Sequence, residues 1–128
     1  MIYLPVLAAL IKNDDGEILL AKRREDLSNG GMWEFPGGKL HVDESPETGL
    51  IREIREELGV DIEVNFPFHI VSQRDGERVI LLMSYWCKLI SGQFHLLDHT
   101  EIRWVQPEQM PALQFSPADV DIVRKLLS

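Results

Sequence analysis

The sequence is almost without cysteine. Its single one, Cys87, lies in the apolar run Arg78–Ile90, so no internal disulfide can form, and its neighbours predict a buried strand position, not a reactive thiol. The four histidines, His41, His69, His95 and His99, are scattered without metal-ligand spacing, which argues against a zinc site. No apolar run approaches the ~20 residues that span a bilayer. The apolar opening "MIYLPVLAALIKNDDGEILL" lacks a basic start and runs into strand-like alternation, so it reads as part of the fold; no membrane partner and a cytoplasmic location are expected. Positive charge is also scarce. Thirteen Lys and Arg against 21 Asp and Glu leave a net charge of −8, and no direct nucleic-acid binding is expected. That balance still admits a small phosphorylated substrate if metal ions supply positive charge locally.

The chain has 128 residues, 45% hydrophobic and 27% charged, enough for a single domain over 1–128 with a real core. Residues 2–11 read as a buried strand. "NDDG" (13–16) is a turn signal and "EILLAKR" (17–23) returns as a second strand, so the pair predicts a hairpin. "EDLSNGG" is a polar loop, "MWEF" a short strand ending at Pro36–Gly38. Residues 66–74 and 78–90 flank Asp75-Gly76 as a second hairpin, and "EIRWV" (101–105) is a further strand. A helix is predicted from Pro46 to Leu58, with Ser45 as N-cap, Pro46 in the first helical position and Leu50, Ile51, Ile54 and Leu58 as its apolar stripe. A second is predicted from Pro117 to Leu127, capped by Ser116, burying Val120, Val123, Leu126 and Leu127. Irregular alternation of strands and helices predicts a mixed sheet with helices packed on it.

Acids gather on the first helix. Glu53, Glu56 and Glu57 share a face turned away from the apolar stripe, although Glu53 and Glu57 repel as an i,i+4 pair and the C-terminal half of a helix favours cations. With Asp43, Glu44 and Glu47 they offer several oxygen ligands on a rigid element, a setting suited to a hard divalent cation. Taken alone, the segment reads first as a solvated face with Arg52–Glu56 as a helix salt bridge, since such charge patterns are common on helices. Its surroundings decide. Gly38, Glu44, Arg52, Glu53, Ile54, Glu56, Glu57, Gly59 and Val60 match the pattern G-x5-E-x7-R-E-U-x-E-E-x-G-U, where U is bulky and aliphatic. Seven fixed residue types would coincide by chance about once in 10⁸ to 10⁹ starting points.

This is the Nudix box, and the chain resembles the Nudix hydrolase family. "WEFPGGK", the arginine-bearing "LLAKRR" and "SPAD" at the last helix extend the resemblance to the MutT-like nucleoside triphosphate pyrophosphohydrolases. The resemblance implies an α/β/α Nudix fold, a mixed β-sheet sandwiched between helices. It implies hydrolysis of nucleoside triphosphates, with oxidised or otherwise modified ones such as 8-oxo-dGTP included, to a nucleoside monophosphate and pyrophosphate. The required cofactor is Mg²⁺, with Mn²⁺ as a substitute; the ion neutralises phosphate oxygens and acidifies water.

Roles follow by position. Glu56 and Glu57 resemble the principal metal ligands, and Gly38 the glycine whose carbonyl helps hold metal. Glu53 resembles the general base of MutT-type members, a role that varies within the family, and counts among the metal ligands. Glu44 orients the others or reaches metal through water, and Arg52 resembles the arginine that holds the box glutamates. A later acid, Asp98 or Glu101, completes the metal set in such enzymes. Arg23 and Lys39 are candidates for substrate phosphate, against a reading as exposed basic side chains. Phe35, Arg78 and Asp119 stand at positions resembling base-binding ones. Phe35 also reads as core, and Asp119, at the third position of its helix, as helix-start chemistry. The family's bacterial 8-oxo-dGTP enzyme carries asparagine where this chain has Asp119. Ionised aspartate only accepts hydrogen bonds, as from the exocyclic amino group of cytosine or guanine, so CTP, dCTP and modified pyrimidine nucleotides are alternative substrates. Other nucleoside diphosphate derivatives, or a non-catalytic nucleotide sensor, are the remaining readings. The sensor is disfavoured because the box is whole, and derivatives such as ADP-ribose because their downstream landmarks are missing.

Overall fold

The computed structural model describes residues 2–128. Its elements in chain order are β1 (Ile2–Ile11), β2 (Ile18–Arg23), β3 (Trp33–Glu34), β4 (Gly37–Lys39), α1 (Pro46–Leu58), β5 (Val60–Asp75), β6 (Arg78–Gly92), β7 (His99–Val105), a 3₁₀ helix (Pro107–Ala112) and α2 (Pro117–Leu126). One sheet has the order β4-β1-β6-β5 and is mixed: β1 and β6 run parallel, while β4 and β5 are antiparallel to their neighbours. The second sheet, β3-β2-β7, is antiparallel.

The second half of β1, Leu7 to Ile11, is apolar without alternation because both its faces are covered. Leu7, Ala9 and Ile11 pack with Leu50, Ile54 and Leu58 of α1. Ala8 and Leu10 face the other way, into a cluster holding Ile122 and Val123 of α2. The helices therefore lie on opposite faces of the strand, the α/β/α layering expected.

The hairpin expected between β1 and β2 does not form. The turn is present: Gly16 has φ 79° and donates its N–H to the Asn13 carbonyl at 3.1 Å. The strands, however, share only the Lys12–Ile18 bridge, and β2 swings into the second sheet. Both edges of β1 are already occupied, by β4 and by β6. A local turn signal carries no information about such distant competitors. The second hairpin does form, turning at Gly76 (φ 65°), and β5 begins at Val60, immediately after α1 and before the expected start.

In α1, the Ser45 hydroxyl oxygen accepts the Thr48 N–H at 3.1 Å, Pro46 occupies the first turn, and Gly59 ends the helix at φ 73°. α2 departs from expectation. Its buried side chains are Ile122 and Val123, with Leu126 partly buried, whereas Val120 and Leu127 are exposed. Both sets satisfy helical spacing, so periodicity alone could not choose between them. The 3₁₀ helix was not anticipated; it buries Met110 completely. Among the described residues no helix is long and apolar enough to cross a membrane.

Candidate active site

The site forms where β4 passes between β1 and α1. Gly37 and Gly38 both lie in β4, and Gly38 pairs with Leu7. Neither adopts positive φ, so they serve close approach. A Cβ on Gly37 would strike the Leu7 carbonyl, and one on Gly38 would strike the Glu53 carboxylate. Glu53 is thus buried against the strand, not on a solvated face as its charge suggested. Burial pushes its pKa up, against the opposing pull of Arg52.

Arg52 organises the acids around it. It reaches both Glu44 oxygens at 3.0 and 2.8 Å, Glu53 Oε1 at 3.0 Å, Glu56 Oε2 at 3.2 Å and the Lys39 carbonyl at 3.1 Å. The bidentate pair, together with the His41 N–H, holds Glu44 down to about 2. Glu44 and Arg52 thereby lock the start of α1 to β4 and fix Glu53 in place. Glu56 is exposed and turned to solvent.

Glu57 has the opposite environment. Its Oε2 is buried without a hydrogen-bond partner, and burial, followed by the charges of Glu53, Glu34 and Asp98, pushes its pKa up to about 8. It sits with Glu34 and His99 so closely that one ligand atom from each lies within 4.8 Å of the others. His99 Nε2 meets Glu34 Oε2 at 3.2 Å, and Arg23 meets Glu34 Oε1 at 3.5 Å. Neither Glu34 nor His99 was expected at the site, His99 being one of four histidines without metal-ligand spacing. A signal for Glu34 existed: an acid between the buried aromatics Trp33 and Phe35 in a strand must point to the other face. His99 carried none, since its partner is 65 residues away in sequence.

This donor set fits a divalent cation. Carboxylate oxygens dominate it, one is orphaned in a buried position, and a cradle is kept open at Gly38 where a side chain would intrude. Asp98 is partly buried and its charge acts on Glu57, whereas Glu101 turns to Arg103 at 2.9 Å; of the two loop acids, Asp98 is the one beside the cluster.

A cleft of about 260 Å³ leads away from this cluster. Arg23, Glu34, Gly38 and Glu57 line one part; Phe35, Asp119, Ile80 and Leu82 line the rest. Phe35 is both core and wall: it is 3% exposed and stacks on Phe115 at 5.7 Å. Asp119 does not cap its helix. Its Oδ2 accepts the Phe35 N–H at 3.1 Å and the Ser116 hydroxyl at 3.0 Å, tying α2 to the strand beside it. Burial, with the nearby charge of Glu34, pushes its pKa up to about 7. Arg78 is held outside this lining by Asp75 at 2.6 Å, at the hairpin end, and Ile80 from the same strand reaches the cleft instead. The Lys39 side chain is exposed and outside the lining as well.

Comparison with known proteins places this geometry. The chain is 33% identical to a CTP pyrophosphohydrolase of Escherichia coli over 128 residues, covering 100% of this chain and 94% of the relative. It is 32% identical to an 8-oxo-dGTP diphosphatase of Haemophilus influenzae, covering 96% and 90%. The solution structure of the E. coli ORF135 protein superposes with a TM-score of 0.86 at 32% identity, covering 99% of this chain and 90% of that one. The family model of the NUDIX domain matches residues 3–126, and the chain belongs to the Nudix family of hydrolases acting on phosphoric anhydride bonds.

Proposed function

We propose that the chain is a Mg²⁺-dependent nucleoside triphosphate pyrophosphohydrolase acting as a single domain, with Mn²⁺ able to replace Mg²⁺. The observation that carries this reading is the buried, partnerless Glu57 oxygen beside Glu34 and His99, opening into a cleft lined by an aromatic ring and an acid. Gly38, Glu53, Glu56 and Glu57, with Asp98, would hold the ion, which supplies charge neutralisation for the phosphates and acidifies water. Glu34 joins that set on this chain's own geometry.

The protein's groups divide the remaining work. Arg23 stands in the cleft to meet phosphate oxygens once these compete with Glu34 for it. Glu53, made more basic by burial and held by Arg52, takes the proton from the attacking water. Phe35 presents an apolar wall to the base. Asp119 has two donors on Oδ2, leaving Oδ1 as a hydrogen-bonding edge for the base. When ionised, that edge accepts from an exocyclic amino group, which supports cytosine nucleotides alongside modified purine nucleotides, in keeping with the two kinds of relative. The outcome would be removal of particular nucleotides from the pool.

The test is a screen of normal and oxidised nucleoside triphosphates, ranked by kcat/KM, with products identified. The reading requires a monophosphate and pyrophosphate in Mg²⁺. Tight nucleotide binding without turnover in Mg²⁺ or Mn²⁺ would instead make the protein a sensor, and cleavage confined to ADP-ribose or dinucleoside polyphosphates would move it elsewhere in the family.

A further inference from the structure

The cleft does not end at Asp119. A second cavity of about 290 Å³ adjoins it, sharing Ile80, Ser116 and Ala118. Its outer wall is made by Asn29, Gln73, Arg74 and Pro117. Gln73 pairs directly with Ile80 across β5 and β6, so it lines the outer space beside a residue common to both. Each cavity alone falls short of the roughly 300 Å³ at which ligand pockets begin, and the two joined fall inside that range. The inner part already runs from the acidic cluster to Phe35 and Asp119. The outer part therefore lies beyond the base.

Its lining is rich in donors. The Gln73 and Asn29 amides make no hydrogen bonds among the described residues. Arg74 spends its Nε on the Gly76 carbonyl at 3.2 Å and has no carboxylate partner. The one acid in this wall, Asp75, is taken by Arg78 at 2.6 Å. A donor-rich space with an unpaired guanidinium suits an acceptor, and best an anionic one. The geometry points to an outer subsite that receives an oxygen-bearing substituent, a carboxylate above all, carried on the edge of the nucleotide base. Resting on the pyrophosphohydrolase reading, this names a substrate class for it: nucleotides whose base bears a carboxyl-type extension.

The experiment uses matched pairs, dCTP with 5-carboxy-dCTP and ATP with N6-carboxymethyl-ATP, and the corresponding monophosphates. Turnover is measured as kcat/KM and monophosphate binding by calorimetry, for the wild type, Arg74→Ala and Gln73→Ala. The subsite predicts a preference of at least about tenfold for one carboxyl-bearing member over its plain partner, the scale of one charge-assisted hydrogen bond. Arg74→Ala should abolish that preference and Gln73→Ala reduce it, with the plain nucleotides handled as before. No preference in either pair, or one that both variants keep, overturns the subsite. Turnover without preference leaves the hydrolase reading standing and the subsite overturned. Preferential monophosphate binding, with no turnover here or of any triphosphate in the wider screen, does the reverse. Neither binding nor turnover of these nucleotides overturns the subsite, and the hydrolase reading falls with it only when the wider screen shows no turnover either.

Discussion

Gly38 faces the Glu53 carboxylate so closely that any Cβ there would displace it. Gly38→Ala is therefore expected to lower kcat by about 10²-fold, the usual consequence of moving a reacting group by an ångström. Steady-state kinetics beside a thermal melt checks this; unchanged kcat with a folded protein would mean that the position of Glu53 is immaterial. Asp119 carries the base preference in this account. Asp119→Asn keeps the size but halves the acceptor capacity, so kcat/KM for CTP and dCTP should fall about 10- to 100-fold relative to nucleotides whose base offers an acceptor, the scale of a buried charged hydrogen bond. An unaltered ranking would return Asp119 to a purely architectural role, joining α2 to Phe35. Individual residues were legible in sequence to the extent that a spaced motif held them. Glu53, Glu57, Arg52 and Gly38 were found through the box, and the structure draws them together. Glu34 carried only the local signal of an acid between two buried aromatics, His99 carried none, and the two meet only because β2 holds β3 and β7 on its two sides.

At the scale of elements, α1 is the platform, and its ends were read correctly because caps are local chemistry. Ser45→Ala removes the acceptor for the Thr48 N–H and should cost about 1 kcal/mol. Urea denaturation measures it; a loss below a few tenths would mean that Pro46 and the Arg52–Glu44 lock suffice to start the helix. The stripe of α1 matched as well, since Leu50, Ile54 and Leu58 have no competing register. α2 did not match, because its sequence supports two adjacent stripes and only packing against the sheets selects Ile122. The β1–β2 hairpin failed for a related reason. A turn fixes chain reversal, while pairing is fixed by which strand edges are vacant, and β4 and β6 had filled those of β1.

For the whole molecule, the site's charges should govern stability against pH. Glu57 is raised from the ordinary 4.5 to about 8, and Asp119 from 3.8 to about 7. In their windows the folded chain binds more protons than the unfolded one, so both contributions weaken as pH rises, from about 4 through 8, and level off above. Glu44 runs the other way: lowered to about 2, its contribution is present above 4.5 and lost as pH falls toward 2. The metal-free protein should therefore melt lower at pH 8 than at pH 5.5. Mg²⁺ should recover most of the difference by replacing the proton on Glu57. Calorimetry of wild type and Glu57→Gln with and without EDTA measures this, and a wild-type melting temperature that rises between those pH values would contradict the assigned burial. A mixed sheet with helices packed on it was legible from the alternation of elements, and the α/β/α layering from the resemblance, whereas the division into two sheets was not, since it depends on contacts far apart in the chain.

The central claim is that a buried carboxylate platform around Glu57 holds a divalent ion for pyrophosphate release. It is tested most directly by measuring Mg²⁺-dependent pyrophosphate release from the best nucleotide of the screen, for the wild type and for Glu57→Gln. Release by the wild type that EDTA abolishes is expected, with a fall of at least about 10²-fold in kcat for the variant, its fold intact. Equal rates for the two proteins, or turnover that persists in EDTA, would contradict it.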